Sequence, residues 1–67
     1  MQATLRSDVY ELDINAPEER SDLLVEAEEL ARQAAADRVR EGAKVKDTKI
    51  AANEKVVKVT VVYRPAA

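Results

Sequence analysis

The feature that most constrains this chain is the run Val56-Val57-Lys58-Val59-Thr60-Val61-Val62-Tyr63 near its C-terminus. Six of the eight residues are β-branched, which suits a pleated, packed surface and works against a helix. A strand this apolar belongs at the middle of a sheet, and the rest of the chain must supply its neighbours and its cover.

The neighbours are legible on either side. Residues 3–15 read as a first strand, with Tyr10, Leu12 and Ile14 on one face and Glu11 and Asp13 on the other. Leu5 and Val9 have the wrong parity for that face. A bulge near Ser7-Asp8 would return Leu5 to the core side; otherwise residues 1–7 form a loose arm. Residues 43–52 and 54–64 read as a hairpin turning at Asn53-Glu54. Setting Ala52 opposite Lys55 places Ile50, Val57, Val59, Val61 and Tyr63 on one face and keeps Lys58 out of the core. It also places Lys49 opposite Lys58, and leaves Val45, Val56 and Val62 on the outer face. A bulge near Asp47-Thr48 would re-aim Val45; without one, a partly apolar outer face invites cover by another molecule.

The cover is a helix over residues 17–41. Pro17 suits a first helical turn, Asn15 or Ala16 is the expected cap, and Asn15 with Glu18 has the spacing of a capping box. Glu18, Glu19 and Asp22 complement the positive end of the dipole, and Arg38 and Arg40 the negative end. Gly42, the only glycine, stands where a left-handed residue closes a helix. Leu23, Leu24, Ala27, Leu30, Ala31, Ala34 and Ala35 form one apolar stripe. Its alanine half allows close approach to the sheet. Val25, Ala36 and Val39 form a second, narrower apolar edge.

These pieces predict one α+β domain of β-α-β-β order. A crossover connection sets the first two strands parallel, and inserting the third between them gives an antiparallel sheet of order 1-3-2 under one long helix.

Function is less constrained. The 67 residues include no Cys, His, Trp or Phe. Cysteine nucleophiles and Cys/His metal sets are therefore excluded, Ser7 and Ser21 have no histidine to activate them, and one glycine cannot make a phosphate-binding loop. Asp22, Glu26 and Glu29 make an open row on the polar helix face, not a convergent ligand set. No enzyme activity, cofactor or small-molecule ligand is expected. No apolar run approaches the length of a membrane span and the N-terminus has no apolar leader segment, so a soluble, cytoplasmic protein is expected.

A chain this short buries only about 60% of the surface its unfolded form exposes, and it has neither disulfide nor metal to help. Self-association is the remaining aid. The expected function is a protein–protein interaction module that assembles with itself, through the outer sheet face at Val45, Val56 and Val62 or the helix edge at Val25 and Val39. The alternative starts from charge. Residues 1–42 carry five Arg against eleven acids, whereas residues 43–67 carry five Lys and Arg64 against two acids. Lys44, Lys46, Lys49, Lys58 and Arg64 could follow a nucleic-acid backbone, although no outer-face aromatic is present to stack bases, and Glu11 or Asp13 could neutralise Lys58 within the domain.

The strand–helix–hairpin order, Val9-Tyr10 ahead of the helix and the closing Val61-Val62-Tyr63-Arg64-Pro65 resemble the dodecins over most of the chain. Dodecins are small βαββ proteins that assemble into hollow dodecamers and bind flavins. The resemblance implies the same topology and a tendency to assemble. The tryptophan that stacks flavin in that family has no counterpart here and the hairpin loop is shorter, so flavin binding is not implied.

Overall fold

The computed structural model describes residues 4–66. It contains β1 (Arg6–Asp13), a 3-10 turn (Pro17–Glu19), α1 (Arg20–Arg40), β2 (Lys44–Ala52) and β3 (Val56–Arg64). The three strands form one antiparallel sheet of order β1-β3-β2 with the helix on one face, as the alternation and connection rules require.

β3 divides its side chains as its pattern demands. Val57, Val59 and Val61 are fully buried and Tyr63 nearly so, whereas Val56, Lys58, Thr60, Val62 and Arg64 turn outward. Ala27, Ala31 and Ala34 are the buried helix residues, and their small side chains let α1 lie close across β3 and β2. Leu12, Ile14, Leu23, Leu24 and Leu30 close around this centre but remain half-buried.

β1 pairs with β3 from Arg6↔Tyr63 to Asp13↔Val56 without interruption. The expected bulge near Ser7-Asp8 is therefore absent, and Leu5 stays half-exposed. The reason lies in Asp8. It shares the helix-facing side with Tyr10 and Leu12, where Arg38 binds it, so the strand has cause to keep its parity.

The hairpin is set two residues further along than expected. Ala52 pairs with Val57, not Lys55, and Asn53 donates its N–H to the carbonyl of Val56. The Asn53 side-chain oxygen accepts hydrogen bonds from the N–H groups of Lys55 and Val56, at 2.7 and 2.9 Å. This Asx-type turn places Glu54-Lys55 at the tip in place of Asn53-Glu54. A shift of two preserves parity, so Ile50 still faces the helix, now opposite Val59.

A bulge between Val45 and Asp47 leaves Lys46 without a partner. It turns Val45 to the helix side, opposite the buried Tyr63, and so removes Val45 from the outer face.

The helix begins without the expected capping box. Ala16 is the N-cap of the 3-10 turn, in an extended conformation with no side-chain cap bond, and Asn15 lies one residue too early. Its other end is closed firmly. Gly42 has φ 91° and donates its N–H to Val39, while Ala43 donates to Arg38. These two bonds form a Schellman motif, which satisfies two of the helix's terminal carbonyls.

Candidate functional site

Helix α1 covers one face of the sheet and leaves the other open. The strand registers fix what stands on that open face. β1 contributes Ser7, Val9, Glu11 and Asp13; β3 contributes Val56, Lys58, Thr60, Val62 and Arg64; β2 contributes Lys44, Asp47, Lys49 and Ala51. An antiparallel sheet with a solvated face normally presents polar side chains there. Here Val9, Val56, Thr60 and Val62 are gathered on β1 and β3, and Val9 is 51% exposed. Val9 has the opposite parity to Tyr10, Leu12 and Ile14. Its odd parity is the signal that it belongs to this face, alongside Thr60.

The expected contact residues are thus separated. Val56 and Val62 lie on the open face and Val45 does not. Val25 and Val39 are exposed on the helix, at 68% and 58%, away from the sheet.

The basic residues divide as well. Lys58 lies between Glu11 on β1 and Ala51 on β2, so an acid stands directly across from it. Lys49 is opposite Thr60 and not Lys58, a consequence of the two-residue shift, and it approaches Asp47 at 4.0 Å. Lys44 and Arg64 stand directly opposite each other, like charges at one end of the sheet. Lys46 occupies the bulge.

On the helix side, one polar cluster is well defined. Arg38 donates from Nε to Asp8 Oδ2 at 2.6 Å and from Nη2 to Asp8 Oδ1 at 2.8 Å. Its Nη1 reaches Glu41 Oε1 at 2.9 Å, and its guanidinium carbon lies 4.4 Å from the centroid of the Tyr63 ring. The hydrogen bonds from Arg38 hold the Asp8 carboxyl below its ordinary pKa, against the opposing effect of burial. Hydrogen bonding to Asp8 and then Glu41 raises Arg38 in turn. Every charge here is answered by another, so the cluster ties β1 to the end of the helix and leaves no acid or base free to transfer a proton.

The hollows are shallow. One of about 330 Å³ lies between α1 and β2, lined by Glu28, Ala31, Arg32, Ala35, Thr48 and Ile50. Another of about 240 Å³ dimples the open face near Glu11, Asn53, Val56 and Lys58. Among the described residues, no group of three acidic side chains converges to hold a metal, and no helix is long and apolar enough to cross a membrane.

These features define a two-layer α+β domain with a bare sheet face. No family model, characterised protein or solved structure matches the chain.

Proposed function

We propose that the protein is a non-catalytic association module that pairs with a second copy of itself. The observation that carries this reading is the shortage of burial. The largest fully buried side chains are three valines, whereas Leu5, Val9, Tyr10, Val25, Val39 and Ile50 are all exposed. The domain exposes 4975 Å², and a compact monomer of 7.4 kDa exposes about 4,200 Å². The domain thus carries more surface than a compact monomer of its mass. Its radius of gyration is 13.4 Å, against about 11 Å for a compact chain of this length. Sedimentation equilibrium from about 1 to 200 µM tests the reading, these concentrations bracketing weak association. A concentration-dependent shift to a defined oligomer supports it; a monomer throughout the range overturns it.

A second reading, polyanion binding, is favoured by the Lys44–Arg64 pair, because an anion between two facing cations relieves their repulsion. Filter binding of single-stranded and duplex nucleic acid at two salt concentrations tests it. The reading requires steep salt dependence and loss of binding in a Lys44→Glu variant.

A further inference from the structure

We propose that two copies of this chain stack their open sheet faces about a two-fold axis running between β1 and β3, so that Glu11 of each copy meets Lys58 of the other. This rests on the self-association proposed above and names its surface and geometry.

The choice of axis follows from the registers. A two-fold parallel to the strands keeps every residue at its own height and exchanges the strands on either side of the axis. With the axis between β1 and β3, β1 of one copy lies over β3 of the other. The residues that pair within the sheet then also face each other between sheets. Glu11 meets Lys58, Val9 meets Thr60, Ser7 meets Val62 and Asp13 meets Val56. Opposite charges face each other twice, once for each copy, and no like charges do.

The other axes are poorer. An axis along β3 sets Lys58 on Lys58 and Arg64 on Arg64. One between β3 and β2 sets Lys44 on Arg64. A two-fold at right angles to the strands stacks each strand on its own copy, so Glu11 on β1 and Lys58 on β3 of facing copies never meet. Like charges brought together across an interface are costly.

The distribution of apolar side chains agrees with the charges. Val9, Val56, Thr60 and Val62 all belong to β1 and β3, so they lie within the contact, with the Glu11–Lys58 pairs standing between Thr60 and Val56. Lys44, Asp47, Lys49 and Ala51 on β2 fall outside it, as a solvated rim. A polar rim around the contact is the usual anatomy of an interface. A contact two strands wide lies at or below the roughly 1,200 Å² of total area where specific interfaces begin, so the dimer is a weak one.

Charge exchange and cross-linking test this arrangement. Glu11→Lys alone and Lys58→Glu alone each place like charges across the two-fold, and each should dimerise at least tenfold more weakly than wild type. Mixing the two variants places opposite charges at both contacts, so a heterodimer of wild-type affinity is expected. Circular dichroism of each variant checks that the fold survives. The chain has no cysteine, so Val9→Cys and Thr60→Cys chains can be mixed under mild oxidation without competing thiols. The mixed disulfide should exceed the two homodimers together, since random pairing alone makes it equal to their sum, and this readout does not depend on the charge variants folding. If wild type is monomeric, both the self-association reading and this geometry fall. If wild type dimerises but folded charge variants dimerise equally well, or no mixed disulfide is enriched, self-association stands and this interface is wrong.

Discussion

Arg38 holds Asp8 across thirty residues of chain through two hydrogen bonds, while its guanidinium lies over the ring of Tyr63. One side chain thus joins the end of the helix, the edge strand and the central strand. The bidentate geometry makes this pair more directional than the exposed Arg32–Glu29 and Arg40–Asp37 pairs on the helix surface.

A pH dependence follows. The folded-state pKa of Asp8 lies below the ordinary value of 3.8 for a free aspartate. A carboxyl with a depressed folded pKa contributes stability that is complete above the unfolded value and is lost as pH falls through the folded one. Thermal melts between pH 2 and 7 should show the melting temperature falling on acidification below about pH 4. Asp8→Asn should melt lower at pH 7 and show a shallower acid decline. An unchanged acid limb in Asp8→Asn would assign the decline to other carboxyls.

The centre of the core gives a second prediction. Val59 is fully buried, between Tyr10 and Ile50 on its flanking strands and beneath the helix. Val59→Ala should cost about 2 kcal/mol by lost burial and the cavity left behind. Val59→Asp should abolish the cooperative transition altogether, because it buries an unpaired charge. Urea unfolding followed by circular dichroism measures both; a folded Val59→Asp variant would mean that the faces of β3 are reversed.

Gly42 provides a third. At φ 91° it lies in the left-handed region, and a Cβ built there would stand 3.3 Å from Cβ of Ala66. Gly42→Ala should destabilise the domain by about 1–2 kcal/mol through backbone strain. Amide exchange should quicken first in the last helical turn, where the Schellman bonds are.

The helix valines give a fourth, as a control. Val25 and Val39 are the most exposed of the large apolar residues and lie away from the open sheet face. Val25→Lys and Val39→Lys should each alter stability by no more than about 0.5 kcal/mol and leave the dimerisation constant unchanged. Loss of dimerisation in either would move the contact to the helix.

The strand order, the helix span and the buried face of β3 were legible in the sequence because each rests on periodicity. Val57, Val59, Val61 and Tyr63 could share a face only one way without burying Lys58. The hairpin register was less legible because a shift of two residues leaves every side chain on the same face. Only the Asn53 side chain, through its bonds to Lys55 and Val56, distinguishes the alternatives. The helix start was legible, but its cap only as Asn15 or Ala16: Asn15 has the chemistry of a cap, yet Ala16 takes the position, without a side-chain cap bond. The Asp8–Arg38 pair was partly legible. Asp8 has the parity of Tyr10 and Leu12, and Arg38 follows Ala34 at helical spacing, but the contact between them depends on how the helix crosses the sheet. As for the open face, the sequence identified Val56 and Val62, while Val45 depended on the bulge and Val9 on the unbroken register of β1.

The bulge at Lys46 has one more effect. A sheet polymerises only if each added strand exposes another edge able to accept the next. Here β1 offers a regular edge, but β2 is interrupted at Lys46 and lined by Lys44, Lys46 and Lys49. Such an edge resists strand addition. A strand that docks on β1 therefore finds no matching terminus at the far side of the molecule. Growth along the sheet beyond a single step is thus disfavoured, which works against a chain with this much apolar surface becoming the repeating unit of a fibre.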